Sequence, residues 1–102
     1  MDEVKIGIVG AGYIANVHSA AYRAIAGTFA ESPRRLELVA VADTDGDRAA
    51  GLARAWGWSR AESDWTAVTR AEDIDVVDVS VPNALHAEIA VDALRHGKHV
   101  IC

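Results

Sequence analysis

The sequence has a single cysteine, Cys102, as its last residue. No internal disulfide can form, and no metal-ligand spacing surrounds that thiol. No apolar run approaches the roughly 20 residues that cross a bilayer, so a membrane partner is not expected. Basic residues are outnumbered, ten against fifteen acidic ones, for a formal charge of -5. The arginines (Arg23, Arg34, Arg35, Arg48, Arg54, Arg60, Arg70, Arg95) are scattered, so the basic face that a nucleic-acid backbone requires is missing. Positive charge is lacking at Met1-Asp2-Glu3, where a secretory signal would carry it, and Gly7, Gly10 and Gly12 break the apolar stretch that follows. A cytoplasmic location is the expectation. There is no serine–histidine–aspartate arrangement and no nucleophile elbow. His18, His96 and His99 have no neighbours that suggest a metal site, and Trp56, Trp58 and Trp65 are expected in core or edge packing.

What is present is the composition of an ordinary folded domain, 51% apolar and 25% charged. A chain of 102 residues supports one domain, near the lower end of the size at which a layered α/β core is comfortable. Short β-branched runs alternate with longer helical patterns, the signature of βαβ units and a parallel sheet. The pattern predicts a first strand over Val4 to Val9 and a helix whose buried stripe is Ile14, Val17, Ala21, Ala24 and Ile25, with Gly27 as its stop. Thr28 to Arg35 reads as a surface loop. Leu36 to Ala42 is a near-continuous apolar run, as expected of a strand covered on both faces.

Thr44 or Asp45 can cap the next helix, which places Ala49, Leu52, Ala53 and Trp56 on one stripe and closes at Gly57. A short third strand is expected near Trp58 to Arg60, and a short helix over Asp64 to Arg70 with Trp65 and Val68 facing inward. Asp75 to Val81 is the fourth strand, ended by Pro82. Asn83 is placed as the cap of a helix burying Leu85, Ile89, Ala90, Ala93 and Leu94, with Gly97 at its C-terminal cap. His99 to Cys102 starts a fifth strand. A domain that stops in a core-type strand leaves that strand with little cover, so these residues are expected to be the N-terminal part of a longer protein. The fold class is α/β, a doubly wound parallel sheet.

Three elements carry chemistry. Gly10-Ala11-Gly12-Tyr13-Ile14-Ala15 lies directly between a strand and a helix, the context in which a glycine-rich turn binds phosphate. Gly10 permits the tight turn, Gly12 lets the backbone approach a pyrophosphate, and Ala15 still permits close helix–strand packing. The helix that follows offers unpaired N–H groups and a positive dipole end. Asp43 ends the second strand, where an acid accepts hydrogen bonds from adenosine ribose hydroxyls; the alternative is an ordinary helix cap. A carboxylate there repels a 2′-phosphate, which favours NAD over NADP. Arg48 is placed as a solvated helix charge, with a phosphate contact as the other possibility. The third element is Ser80-Val81-Pro82-Asn83-Ala84-Leu85-His86. In a doubly wound sheet the first and fourth strands flank the switch point, so Gly10 and Pro82 are expected on one crevice. His86 stands open between a position beside the cofactor and a partly exposed place in the first helical turn.

With these residues in view, the sequence resembles the glucose-fructose oxidoreductase / inositol dehydrogenase / rhizopine catabolism (Gfo/Idh/MocA) family. The matching stretches are Ile6 to Ala15, Val39 to Asp43, Ile74 to His86 and Ala93 to Cys102, which together span the chain from near its start to its last residue. Strand-Pro-Asn-x-x-His combined with Ala-Leu-x-x-Gly-Lys-His-Val is far more specific than the glycine turn. The resemblance implies a Rossmann domain holding NAD or NADP, of which Asp43 favours NAD, and hydride transfer to or from a sugar, cyclitol or related alcohol. By position, Gly10, Gly12, Tyr13 and Ile14 look like the pyrophosphate turn and Asp43 like the ribose acid. Ser80, Pro82, Asn83 and His86 look like the wall near the nicotinamide half.

The family's Glu-Lys-Pro segment, its Asp-x-x-x-His helix and its α+β substrate domain would all lie beyond Cys102. Lys98 precedes the fifth strand and is not the family's catalytic lysine, so no catalytic acid or base is assignable. The expectation is a dehydrogenase parent, a homo-oligomer acting on a small polyol or sugar, whose first 102 residues are inactive alone. The alternatives are a methyltransferase using S-adenosylmethionine and an NAD-binding regulatory module without turnover.

Overall fold

In the computed structural model, which describes residues 3–28 and 35–102, strands and helices alternate along the chain. They are β1 (Glu3–Val9), α1 (Tyr13–Thr28), β2 (Arg35–Ala42), α2 (Gly46–Trp56), β3 (Arg60–Glu62), α3 (Thr66–Thr69), β4 (Val76–Val79), α4 (Asn83–Arg95) and β5 (His99–Ile101). The strands form one parallel sheet in the order β3-β2-β1-β4-β5. The order reverses between β1 and β4, so the carboxyl ends of those strands open the crevice where doubly wound folds bind ligands.

Each face of the sheet carries its own core. On one face Ile6, Ile8, Leu38 and Val41 pack with Ala15 of α1, with Ala49, Leu52 and Ala53 of α2, and with Trp58. On the other, Val9, Val39, Ala40, Val77 and Val79 pack with Val68 of α3 and with Ile89 and Ala93 of α4. Strict alternation along β2 would separate Leu38 from Val41. The register shifts instead: Ile6 pairs with Leu38 while Gly7 pairs with Ala40, so Val39 is an extra residue that resets which side chains face which layer.

Local chemistry explains most element ends. Of the two caps open for α2, Asp45 serves, its side chain accepting from the N–H groups of Asp47 (3.1 Å) and Arg48 (3.2 Å). Gly57 ends that helix in the left-handed conformation, and the Arg23 guanidinium donates to the carbonyls of Trp56 (2.6 Å) and Gly57 (2.9 Å). A cation on the last carbonyls of a helix also complements its dipole.

Six expectations need correction. The stripe of α1 is misplaced: Ile14, Val17 and Ile25 are exposed, as are Ala21 and Ala24, while Ala15, Ser19 and half-buried Tyr22 face the sheet. The surface beneath α1 is partly polar, because the Asp78 carboxylate lies on that face of the sheet. On α4, Ile89 and Ala93 are buried but Leu85 and Leu94 are exposed, a narrower stripe than the spacing allows. Asn83 is the first residue of α4; the cap position is Pro82, without a side-chain hydrogen bond. The cap at the other end is His96, with Gly97 following at φ 77°. The third strand begins two residues later than Trp58, which is buried in the core. Helix α1 runs to Thr28, one residue past Gly27, and the expected loop falls, but for its ends, outside the described residues. No helix of the described residues is long and apolar enough to cross a membrane.

Candidate functional site

The glycine turn sits between β1 and α1, pressed against the end of β4. Gly10 has φ +99°, and a Cβ built on it would lie 2.3 Å from the carbonyl oxygen of Ser80. Any other residue is therefore excluded twice, by backbone conformation and by space. The Gly10 N–H donates to the carbonyl of Ala42 (2.8 Å) and the Ser80 N–H to that of Val9 (2.8 Å), so three strand ends are laced together at the turn. Gly12 differs. Its backbone is unstrained, and a Cβ there would meet only the tip of the Arg48 side chain, at 2.8 Å.

Asp43 has an unexpected partner. One carboxylate oxygen accepts the N–H of Ala11 inside the glycine turn, at 2.8 Å, and the other accepts the N–H of Asp45, also at 2.8 Å. The acid ties the end of β2 to the turn and also shapes the entry to α2. Each oxygen keeps acceptor capacity for a further donor from a ligand.

These groups line a cleft of about 710 Å³ together with the end of β4 and the start of α4, inside the roughly 300–1,000 Å³ typical of cofactor sites. Gly10, Gly12, Tyr13, Ile14, Asp43, Ser80, Pro82 and His86 all border it, and Asn83 does not. Exposed Leu85 and half-buried Val81 add apolar wall beside His86. Thr44, Arg48, Ser63 and Trp65 also border the cleft. Trp65, expected in packing, thus serves the cleft as well. The donor set suits a dinucleotide: a side-chain-free turn and helix N-terminus for phosphates, an acceptor for hydroxyls, and apolar surface for flat rings.

Residues 4–102 match the oxidoreductase family described by its NAD-binding Rossmann fold, Gfo/Idh/MocA. The chain belongs to this family. It is 38% identical over 102 residues to the levoglucosan dehydrogenase of Pseudarthrobacter phenanthrenivorans, a match covering all of this chain and 26% of that protein. It is 38% identical over 77 residues to the NADP(+) scyllo-inositol 2-dehydrogenase of Bacillus subtilis, covering 72% of this chain and 24% of that one. A solved structure of levoglucosan dehydrogenase in complex with NADH superposes with a TM-score of 0.91 at 38% identity, over 98% of this chain and 27% of that one. The chain thus spans about a quarter of the length of the relatives it matches. Neither the methyltransferase nor the non-catalytic regulatory module finds support in this family.

One feature of this Gfo/Idh/MocA domain escaped the sequence reading. Asp78, in the middle of β4, is fully buried on the α1 side. One oxygen accepts from the Tyr22 hydroxyl (2.5 Å) and is hydrogen-bonded to His18 Nδ1 (2.7 Å); the other accepts from the Ser80 hydroxyl (2.8 Å). Burial, then the bond to Asp78 and its charge, push the Tyr22 phenol well above its usual range. Tyr22 also packs edge-on against Trp58, whose Nε1 donates to buried Ser19 (3.0 Å). The signal was available: an acid inside a central strand demands donors, and His18 and Tyr22 stand four apart, on one helix face.

Proposed function

We propose that these residues hold NAD(H) across the carboxyl ends of β1 and β4, as the nucleotide-binding part of a dehydrogenase that moves hydride between nicotinamide and an alcohol carbon of a sugar, cyclitol or related polyol. The observation that carries this reading is that the Ser80 carbonyl leaves no room for a side chain at Gly10, in the wall of a cleft that Asp43 and His86 also line. In this reading Gly10, Gly12, Tyr13 and Ile14 receive the pyrophosphate. Asp43 accepts from the adenosine ribose, and Ser80, Pro82 and His86 border the nicotinamide half. Asn83, outside the cleft lining, serves the start of α4 instead.

NAD is the preferred cofactor, because the Asp43 carboxylate disfavours a 2′-phosphate. The polyol substrate class rests on the relatives' activities. In this reading the substrate pocket, the proton-transfer residues and the subunit contacts fall in the part of those relatives that these residues do not match. Hydride transfer is accordingly not expected of residues 1–102 alone. A single cysteine is in keeping with a reducing, cytoplasmic compartment.

Titration calorimetry with NADH, NADPH and S-adenosylmethionine tests the reading. Saturable NADH binding, with NADPH weaker and S-adenosylmethionine absent, is the expected result. No NADH binding would overturn it.

A further inference from the structure

In a dinucleotide-binding turn the second glycine is bare because the pyrophosphate comes against its α-carbon. Here that space holds a cation. The terminal guanidinium nitrogen of Arg48 lies 2.8 Å from the point where a Gly12 Cβ would stand. Arg48 belongs to the first turn of α2, and its backbone N–H is bound to the Asp45 cap at 3.2 Å. Its backbone is therefore fixed, while its exposed side chain is free to swing. Arg23, Arg60 and Arg70 each have acceptors. No ion pair among the described residues holds the Arg48 guanidinium. Asp43, the nearest acid along the cleft wall, has both oxygens on backbone N–H groups and so stays at its post.

We propose that Arg48 is a pyrophosphate clamp: from its place beside Gly12 its guanidinium lies across the bound pyrophosphate and pairs with its free oxygens. The inference rests on the nucleotide reading above. A cation beside the bare face of Gly12 attracts an anion that comes against that face, and its planar fork matches phosphate oxygens. Backbone N–H groups of the α1 N-terminus hold the other side of the same group. The pyrophosphate is preferred over a 2′-phosphate because the guanidinium rests on the turn, whereas the ribose end of the cleft carries the Asp43 charge.

The test compares the protein with Arg48→Ala and Arg48→Lys for binding of NADH and NADPH, and for displacement of NADH by ADP-ribose and by adenosine. Loss of one charge-assisted pair should weaken NADH and ADP-ribose by about tenfold or more in Arg48→Ala, with Lys recovering part. Adenosine, which lacks phosphate, should be unaffected, and thermal unfolding should be unchanged for so exposed a residue. Unchanged or tighter NADH binding in Arg48→Ala would overturn the clamp. So would a loss confined to NADPH, or one shared equally by adenosine. Failure of the unsubstituted protein to bind NADH would instead overturn the nucleotide reading itself.

Discussion

The carboxylate of Asp43 is hydrogen-bonded at 2.8 Å to the backbone N–H of Ala11, 32 residues away in sequence, so the end of β2 and the glycine turn form one unit. The acid expected to meet a ribose also fixes the turn beside it. Replacing Asp43 with Ser removes a carboxylate that reaches two N–H groups at once. Leaving such donors without a partner costs about 1–3 kcal/mol. The variant should unfold at lower denaturant, bind NADH more weakly and discriminate less against NADPH. An unchanged NADH/NADPH ratio beside the stability loss would limit Asp43 to the turn.

Gly10 and Gly12 should fail in different ways. Gly10→Ala combines positive φ with overlap on the Ser80 carbonyl, and a loss of about 2–4 kcal/mol is expected. Gly12→Ala meets only the end of a flexible arginine, so its stability should stay within about 0.5 kcal/mol while NADH affinity falls. Thermal unfolding beside NADH titration separates the two.

Tyr22→Phe tests the buried Asp78 cluster. Removing the phenol leaves an Asp78 oxygen short of a donor, at about 1–3 kcal/mol. The cluster also has an alkaline signature. The folded-state pKa of Tyr22 is raised above its ordinary 10.0, so between those values the folded chain holds a proton that the unfolded chain has lost. That contribution is complete below about pH 10 and is lost as pH rises further. Urea unfolding from pH 8 to 11 should show a steeper alkaline decline in the parent than in Tyr22→Phe.

Asp92 provides the acid counterpart. It accepts from Arg70 (3.0 and 3.2 Å) and from the Thr69 hydroxyl (2.6 Å), which together hold its carboxyl below the usual range. A depressed pKa contributes stability above the unfolded value, and the contribution disappears as pH falls through the folded one. Arg70→Ala should therefore be less stable than the parent at pH 7, with the gap closing below about pH 4. A gap independent of pH would mean that Arg70 acts through packing alone.

Much of the fold was legible in the residues. The alternating β-branched and helical runs, the strand–glycine–helix context of Gly10 and the acid after Ala42 specify a doubly wound sheet, because backbone conformation and periodicity are local properties. The same holds for the family resemblance carried by Pro82-Asn83-x-x-His86. Tertiary structure alone decided which face of α1 is buried. Spacing favoured Ile14, Val17 and Ile25, but the sheet beneath offers the Asp78 carboxylate, and a buried charge takes His18, Tyr22 and Ser80 as partners ahead of any aliphatic stripe. Tertiary structure likewise set Arg48 against Gly12 and Asp43 against Ala11, pairs that are remote in sequence. A motif states which residues a turn requires; only the packing of three strand ends states which side chains reach it.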